Sequence, residues 1–365
     1  MKVLISGGGT GGHVFPAIAI ADALTKKDGN TDILFVGANG KIEMDKVPQA
    51  GYKIIGLDIK GFKRSFSLDT IVTAWKAAKA LFKAINIVKT FKPDVAIGVG
   101  GYASGPTLKV ASLLGVPTMI QEQNSYAGVT NKLLARKASK IFVAYSGMER
   151  FFEPSKIVHT GNPIRSTIQM EGRSKREAMQ KLGLNPDHKM ILVMGGSLGA
   201  RTINEALVQG EELLAQSTGV HIYWHVGKVI LSEFKNKHIA TLPNVTMVDF
   251  IEDMPTVYAA ADIIVGRAGA LTISELAIVG KAAILVPSPN VAEDHQTHNA
   301  MSLVNAGAAI LVKDMEAGKT LVPVMINLVN DEQQSVQLAG NMKGLAKPNA
   351  ADQIATYIFE TIEKV

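Results

Sequence analysis

The chain has 365 residues, 47% hydrophobic and 19% charged, and this balance predicts two folded domains without a long disordered tract. The absence of cysteine excludes disulfide scaffolds, thiolate metal sites and cysteine nucleophiles. The net charge is +6, which by itself leaves nucleic acid, an anionic membrane and phosphorylated ligands open as partners. No apolar run reaches the roughly 18 residues of a membrane span, so we expect a soluble or peripheral protein.

Short runs rich in β-branched residues alternate with helical patterns, which predicts parallel sheets covered by helices on both faces. The first series of predicted strands is 2–6, 33–37, 95–99, 117–121 and 141–144. The second series is 190–194, 221–225, 245–248, 263–265, 283–286 and 308–312. We therefore expect two doubly wound domains, at 1–163 and 164–348, because Gly-Asn-Pro at 161–163 breaks regular structure. A last helix at 349–365 is expected to pack back on the first domain.

Three glycine loops, at 7–13, 100–106 and 195–200, each follow a predicted strand and precede a helix. Glycines let the backbone approach a ligand, and N–H groups at a helix start attract an anion such as a diphosphate. None of the loops ends in the Lys-Ser or Lys-Thr of a P-loop. Because the carboxyl ends of strands bind ligands in such sheets, we expect the loops to face a shared cleft. For any single loop, the alternative is a tight strand-to-helix turn.

The loops also fit two other chemistries. Gly7, Gly9 and Gly12 satisfy the dinucleotide pattern, but strand 33–37 ends without the acidic residue that would hold a ribose. The Gly-x-Ser-x-Gly at 195–199 matches the nucleophile turn of serine hydrolases. Its downstream acid and base candidates are Asp262, Asp294, His295 and His298. A hydrolase, however, gives no reason for the two N-terminal glycine loops.

A further group of candidate ligand-binding residues lies in the expected second domain. Small residues at 266–270 enter a helix that carries Glu275, whose carboxylate can accept two hydrogen bonds from the diol of a ribose. The alternative is that Glu275 complements the helix dipole. Asp294, His295 and His298 can share a helical face and bind a metal. We expect instead that Asp294 caps the helix and that Gln296 points into the cleft.

Seven motifs, spread over nearly the whole chain, carry a resemblance. They are Gly-Gly-Thr-Gly-Gly-His at 8–13, Gly-Gly-Tyr-Ala-Ser-Gly-Pro at 100–106, Glu-Gln-Asn at 122–124, Gly-Asn-Pro-Ile-Arg at 161–165, Gly-Gly-Ser-Leu-Gly-Ala at 195–200, Arg-Ala-Gly-Ala-Leu-Thr-Ile-Ser-Glu at 267–275 and Asp-His-Gln at 294–296. In this order they resemble the MurG family, the membrane-associated N-acetylglucosaminyltransferases of peptidoglycan synthesis. The resemblance implies the α/β GT-B fold, in which two Rossmann-like, doubly wound parallel-sheet domains face a cleft.

The resemblance further implies transfer of GlcNAc from UDP-GlcNAc to the MurNAc 4-hydroxyl of undecaprenyl-pyrophosphoryl-MurNAc-pentapeptide (lipid I), which gives lipid II. It implies inversion at the anomeric carbon and no metal or other cofactor. The first domain would then bind the acceptor and the membrane, and the second would bind the donor. A nucleotide-sugar binder or epimerase of the same fold remains open, as does a related glycolipid glycosyltransferase with another donor or acceptor.

The resemblance also implies roles for single residues. Expected donor contacts are Thr10, Gly11, Gly12 and Asn124 at the sugar, Arg165 and Ser197 at the diphosphate, Ile251 at the uracil, Ala270, Leu271, Thr272, Ile273 and Ser274 as a loop beside diphosphate and sugar, Glu275 at the ribose, and Gln296 at the GlcNAc hydroxyls. Expected contacts to the acceptor pyrophosphate are Gly100, Gly101, Tyr102 and Ser104. Leu198 departs from the family, where many relatives carry Gln, so that side chain would make no polar donor contact.

We expect His13 to be the catalytic base that takes the proton of the attacking hydroxyl. It lies between a glycine loop and a helix start, where the helix dipole disfavours the protonated ring and favours a neutral proton acceptor. The alternative is that His13 only hydrogen-bonds a loop or a ligand phosphate. Neutralisation of the leaving diphosphate would fall to backbone N–H groups, helix dipoles and Arg165, since the chain has no Asp-x-Asp pair to hold a metal.

The positive charge is concentrated between residues 60 and 92. This stretch contains a single acidic residue, Asp69. Its basic residues are Lys60, Lys63, Arg64, Lys76, Lys79, Lys83, Lys89 and Lys92. A helix through 68–89 would have an inward face of Ala74, Ala77, Leu81, Ala84 and Val88. Lys76, Lys79 and Lys83 would project from another face, with Trp75 and Phe82 near the border.

Aromatic rings beside a lysine row suit a membrane interface, with the rings at headgroup depth and the ammonium groups on anionic lipid. The alternative is a solvated helix face. Nucleic acid is not expected, because Arg-rich clusters and known nucleic-acid modules are missing from the sequence. A lipid-borne acceptor explains the patch, so we expect a peripheral protein on the cytoplasmic face of the bacterial inner membrane.

Overall fold

The structure, a computed structural model, describes residues 1–59, 69–164, 173–196 and 199–363, and only the backbone of 69–78 and of 292. The chain divides into two compact units. The first unit comprises Met1–Arg165 together with Lys347–Val365, and the second comprises Ser166–Ala346. This division lies two residues beyond the boundary expected from Gly-Asn-Pro.

Thirteen strands form two parallel sheets within the described residues. They are β1 Lys2–Ser6, β2 Asp32–Ala38, β3 Lys53–Leu57, β4 Val95–Gly98, β5 Thr118–Glu122, β6 Lys140–Val143, β7 Ile157–His159, β8 Lys189–Met194, β9 Val220–His225, β10 Val245–Val248, β11 Ile263–Gly266, β12 Ala282–Leu285 and β13 Ala309–Leu311. The first sheet has the order β3-β2-β1-β4-β5-β6-β7, and the second has the order β10-β9-β8-β11-β12-β13. Both sheets are parallel throughout.

Helices connect the strands. They are α1 Gly11–Lys27, α2 Glu43–Gln49, α3 Asp69–Phe91, α4 Ser104–Leu113, α5 Val129–Ala135, α6 Lys175–Lys181, α7 Arg201–Gln209, α8 Glu211–Gln216, α9 Leu231–Phe234, α10 Met254–Ala260, α11 Ala270–Val279, α12 His295–Asn305, α13 Ala317–Asn330, α14 Glu332–Gly344 and α15 Ala350–Ile362. None of the described helices is long and apolar enough to cross a membrane.

The first sheet is buried on both faces, as its unbroken apolar strands require. On one face, Val3 and Ile5 of β1 pack with residues of α1 and with Ile354 and Ile358 of α15. On the other face, Leu4 packs with residues of α3 and α4. The last helix therefore belongs to the core of the first unit, although nearly 200 residues separate it from β7 in the sequence.

The order of the strands reverses at the centre of each sheet, between β1 and β4 in the first unit and between β8 and β11 in the second. At such a point the connections that follow the two neighbouring strands run in opposite directions. This leaves a crevice beside the carboxyl ends of the two strands, and α/β sheets bind ligands in that crevice. The loops after β1 and β4 contain the first two glycine motifs. The loops after β8 and β11 contain the third glycine motif and the 266–270 segment.

Two strands of the first sheet, β3 and β7, were not predicted from the sequence. Both lie at the edges of the first sheet, and β7 has only three residues, so neither has the long buried run of a central strand. The first helix also begins earlier than the glycine motif indicated, at Gly11, because Thr10 has the extended backbone of an N-cap residue.

Candidate active site

The first two glycine loops touch each other at the centre of the first unit. Gly101 has φ +84°, and a Cβ atom there would lie 2.2 Å from the carbonyl oxygen of Gly8, so only glycine fits. A Cβ atom on Gly100 would lie 2.8 Å from Cδ2 and 2.9 Å from Nε2 of His13. The structure therefore brings His13, the expected base, against the second loop, which is expected to serve the acceptor.

His13 lies in the first turn of α1 and is half-buried. Its Nδ1 lies 3.2 Å from the hydroxyl oxygen of Thr10, so the side chains of these two expected site residues are in hydrogen-bond contact. Gly11 and Gly12 are the first two residues of the helix, where backbone N–H groups have no partner within the helix itself. Thr10 and Gly12 are exposed, which leaves this helix start open to a ligand.

Ser104 does not have the role expected of it. Its side chain is fully buried, and its hydroxyl oxygen lies 2.6 Å from the carbonyl oxygen of Ser6 and 2.9 Å from that of Gly100. The hydroxyl therefore ties the second loop to the end of β1 and does not contact a pyrophosphate. Tyr102, by contrast, is 53% exposed at the rim of the same loop.

Asn124 is held by a buried carboxylate. The backbone N–H of Asn124 donates to Oε1 of Glu122 at 3.1 Å, and its side-chain amide lies 3.3 Å from the same oxygen. Gly128 and Asn131 donate to the other carboxylate oxygen at 3.0 and 2.9 Å. Burial raises the pKa of Glu122, and these donors act in the opposite direction. Glu122 thus fixes the loop that presents Asn124.

In the second unit, the third glycine loop closes on itself. A Cβ atom on Gly195 would lie 2.2 Å from the backbone nitrogen of Ala200, and one on Gly199 would lie 2.3 Å from the carbonyl oxygen of Val226. Arg165 and Ser197, the residues expected at the donor diphosphate, lie outside the described residues, as does Leu198.

Residues 270–274 form the first turns of α11, not the loop that we expected. Gly269, with an extended backbone, is the N-cap residue, so the helix begins directly after the small residues. The hydroxyl of Ser274 donates to the carbonyl oxygen of Ala270 at 2.9 Å, and Ile273 is buried. The backbone N–H groups of this helix start are what the second unit offers to an anion here.

Glu275 lies in the second turn of α11 and is half-buried. The hydroxyl of the fully buried Tyr258 in α10 donates to its Oε2 at 3.2 Å. This hydrogen bond orients the carboxylate expected to hold the ribose, and nothing in the local sequence pattern pointed to it. Ile251, expected at the uracil, lies in the segment between β10 and α10, with its side chain buried.

Arg267 connects the segment after β11 to two others. Its guanidinium donates to the carbonyl oxygens of Val286 and Pro287 at 3.1 and 3.3 Å and forms an ion pair with Asp314. Ser288, the next residue of that turn, donates its N–H to Oε1 of Gln296 at 2.8 Å. The side-chain oxygen of Gln296 therefore supports the turn after β12.

Asp294 occupies the N-cap position of α12, but its side chain makes no hydrogen bond to the helix backbone, which contradicts the expected cap. Its φ of +49° turns the carboxylate toward the hydroxyl of Thr297, which donates to it at 2.7 Å. In the described part of the chain, no group of three or more His, Asp and Glu side chains is placed to hold a metal ion.

The expected membrane patch lies on α3, where the side chains of Trp75 and Lys76 fall outside the described residues. Lys79 and Phe82 are exposed, Phe82 by 74%. Lys83 is exposed along its stem, but its ammonium donates to the carbonyl oxygen of Gly56 at 2.7 Å. The expected inward position of Leu81 is wrong, because it is 39% exposed. The face that packs on the sheet is formed by Ala80, Ala84, Ile87 and Val88.

Each unit matches one domain of a known family. The glycosyltransferase family 28 N-terminal domain matches residues 3–143, and the glycosyltransferase family 28 C-terminal domain matches residues 190–354. The paired switch points and glycine loops are thus those of a two-domain glycosyltransferase of the GT-B class.

Two relatives and one solved structure narrow the class of glycosyltransferase. The UDP-N-acetylglucosamine--N-acetylmuramyl-(pentapeptide) pyrophosphoryl-undecaprenol N-acetylglucosamine transferase of Bacteroides fragilis is 50% identical over 100% of this chain and 96% of its own length. The transferase of the same name from Cytophaga hutchinsonii is 50% identical over 99% and 97%. The crystal structure of Acinetobacter baumannii MurG has a TM-score of 0.77 at 30% identity, covering 98% of this chain and 99% of that one. The chain therefore belongs to the MurG family within glycosyltransferase family 28.

A Neisseria meningitidis UDP-GlcNAc 2-epimerase bound to UDP-GlcNAc has a TM-score of 0.67 at 16% identity, covering 99% of this chain and 100% of that one. At that identity the likeness concerns the fold alone. The epimerase alternative thus shares the architecture, whereas the relatives that match at half identity are transferases.

Proposed function

We propose that the protein transfers GlcNAc from UDP-GlcNAc to the MurNAc 4-hydroxyl of undecaprenyl-pyrophosphoryl-MurNAc-pentapeptide, forming lipid II for peptidoglycan synthesis. The observation that carries the proposal is the placement of His13 where the two glycine loops of the first unit meet. The relatives that are 50% identical over nearly the whole chain, and that are named for this reaction, support the same donor and acceptor.

The reaction is a single displacement. The 4-hydroxyl oxygen attacks C1 of GlcNAc while the bond between C1 and the diphosphate oxygen breaks, and UDP leaves with the electron pair. One displacement at C1 inverts the anomeric configuration. In this proposal Nε2 of His13 takes the hydroxyl proton, and Nδ1, 3.2 Å from the Thr10 hydroxyl oxygen, carries the hydrogen of the neutral ring and donates it to that oxygen. At the start of α1 the helix dipole disfavours a positively charged ring, which favours a proton acceptor at this position.

The second unit binds the donor in this proposal. Glu275, oriented by Tyr258, accepts hydrogen bonds from the ribose hydroxyls, and the backbone of Ile251 meets the uracil. The diphosphate lies at the helix start of α11 and at Ser197 and Arg165. Preorganised N–H groups and helix dipoles stabilise the charge that develops on leaving UDP, so the reaction requires no metal ion.

The first unit binds the acceptor and a membrane surface. Gly100 borders the His13 ring, and Gly101 and the exposed Tyr102 follow it in the same loop, which we assign to the pyrophosphate of the acceptor. α4 packs beside α3 and α5, and these helices leave large apolar side chains exposed, namely Phe82, Leu113, Val129 and Leu133. With the lysines of α3, such a surface suits anionic lipid and a peripheral position on the cytoplasmic face of the inner membrane.

One assay tests the reaction. UDP release from UDP-GlcNAc is measured with and without a lipid I analogue, in the presence of EDTA. Release that depends on the analogue and persists with EDTA is expected. A protein that releases UDP only with another donor or lipid acceptor is the related glycolipid glycosyltransferase, and one that only interconverts the sugar is an epimerase; either result refutes the proposal.

A variant pair tests the base. His13→Ala is expected to lower kcat by roughly 100-fold or more, since general base catalysis contributes at least that factor. His159→Ala is the matched control, because His159 lies exposed at the end of β7, with its Nε2 3.0 Å from the carbonyl oxygen of Ala144. Near-normal kcat in His13→Ala, with only weaker acceptor binding, would show that His13 is a binding residue.

A sedimentation assay tests the membrane surface. The protein is expected to pellet with vesicles of phosphatidylglycerol and much less with vesicles of phosphatidylcholine, and salt is expected to weaken the binding. Phe82→Ser should reduce the bound fraction, whereas Val336→Ser, at an exposed apolar residue of α14 in the second unit, should not. Equal losses in both variants would contradict a patch on α3.

A further inference from the structure

Glu43, the first residue of α2, carries a carboxylate that is almost completely enclosed, with the residue 1% exposed. Its Oε2 accepts the backbone N–H of Gly9 at 2.8 Å, and its Oε1 accepts that of Ala38 at 2.9 Å. The two hydrogen bonds join the loop after β1 to the end of β2. The proposed mechanism does not use this buried carboxylate.

The surrounding glycines make room for this side chain. A Cβ atom on Gly8 would lie 2.2 Å from Cδ of Glu43, and one on Gly37 would lie 2.5 Å from its Cγ. Side chains at these two positions would therefore expel the carboxylate. Loops of this kind commonly point such N–H groups at a phosphate of a bound ligand. Here the N–H of Gly9 is already taken by a carboxylate of the chain itself.

The contacts continue from this carboxylate to the base. Gly8, which rests on Glu43, presents its carbonyl oxygen to Gly101, so closely that no Cβ fits between them. Gly100, the preceding residue, borders the ring of His13. A shift of the first loop is therefore transmitted to the second loop and to the surface on which the His13 ring lies.

We propose that Glu43 is a positioning residue, an internal anion that takes the place of a bound phosphate in the first glycine loop and so holds His13 in its reactive position. The inference rests on the proposed transferase function and assigns the first loop a catalytic rather than a phosphate-binding task. A displacement of about 1 Å at a reacting group can cost up to 100-fold in rate, so a loosened loop lowers turnover without affecting donor binding in the second unit.

Two variants test the inference. Glu43→Gln keeps the shape but can accept only one of the two N–H groups, and Glu43→Ala accepts neither. We expect kcat to fall by roughly 10-fold in the first and up to 100-fold in the second, with KM for UDP-GlcNAc changed less than about 2-fold. Asp94→Asn is the control, since Asp94 also accepts a backbone N–H, that of Lys2 at 2.7 Å, but at the amino end of β1, the end opposite to the first glycine loop.

Rates are expressed per folded molecule, with the folded fraction taken from circular dichroism. A fall in kcat with constant donor KM in both Glu43 variants, and not in the control, supports the positioning role. Wild-type kcat in either variant, or a rise in donor KM at constant kcat, overturns it. Glu43→Gln, being isosteric, keeps the test decisive if Glu43→Ala fails to fold. If the wild-type protein itself transfers no GlcNAc, the proposed function fails and the result does not depend on Glu43.

Discussion

The hydrogen bond from Tyr258 to Glu275 allows a quantitative test of the donor site. Tyr258→Phe removes one hydroxyl from a fully buried ring and leaves the rest of the packing in place. A hydrogen bond to a charged group contributes about 1.5 to 3 kcal/mol. At 3.2 Å this one is long for a hydroxyl donor, so we take the lower end, which corresponds to about tenfold in an equilibrium constant.

Only part of that free energy is transmitted to the ligand, because Glu275 is half-buried and water replaces part of the lost interaction. We expect KM for UDP-GlcNAc to rise between about 3-fold and 10-fold, with kcat nearly unchanged, because the ribose is remote from the bond that breaks. Steady-state UDP release at saturating acceptor measures both constants. Tyr357→Phe, in α15 of the first unit, is the control.

A donor with a 2′-deoxyribose distinguishes a lost orientation of the Glu275 carboxylate from general damage to the donor site. Because this donor lacks one of the hydroxyls that Glu275 is proposed to hold, wild-type protein and Tyr258→Phe should differ less with it than with UDP-GlcNAc. Equal KM values for wild type and variant with UDP-GlcNAc, or an equal increase with both donors, would refute the role assigned to this hydrogen bond.

Two further predictions concern a loop contact and a charge. Gly101→Ala should lower kcat at least 10-fold, because its Cβ would collide with the carbonyl of Gly8. Gly115→Ala, with a similar φ of +82° and open space around it, should show only the backbone strain of about 1 to 2 kcal/mol in urea unfolding; equal effects of both on kcat would contradict the loop contact. Asp253→Asn keeps a capping oxygen for α10 but loses the ion pairs with Lys181 and Arg173, so its stability should fall by up to about 1 kcal/mol at pH 7. The hydrogen bond from Lys181 holds the pKa of Asp253 well below its usual range. The stabilisation is therefore fully present above the unfolded pKa of about 4 and is lost progressively as pH falls from there through the folded pKa. The difference in unfolding free energy between wild type and variant should shrink steadily below about pH 4, and a difference that stays constant there would contradict the ion pairs.

The order of elements along this chain could be predicted from sequence alone. Short apolar runs such as 3–5 and 190–194 are typical of strands in a parallel sheet that is covered on both faces, and each glycine motif follows such a run. Both features are local, so the class of fold and the position of the loops at the strand ends follow from them. The edge strands β3 and β7 were missed because strands that are only partly buried at the edge of a sheet lack such an apolar run.

The motifs also indicated the family, and they supplied candidate site residues such as Thr10, His13 and Glu275, whose roles remain predictions. Sequence could not tell which side chains face a ligand and which are already engaged. Ser104 stands in a motif and yet its hydroxyl is used by the backbone of Ser6 and Gly100. The same limit explains Leu81, whose place on the helix depends on how α3 is rotated against the sheet.

Only the tertiary structure revealed the residues that support the site. Glu43 lies 34 residues from Gly9 and Tyr258 lies 17 residues from Glu275, so neither hydrogen bond leaves a mark in the local pattern. A hydrogen bond depends on atoms that meet within about 3 Å, and that proximity is created by the packing of whole strands and helices. The sequence by itself determined where the loops of this protein lie, and the fold decided what holds them in place.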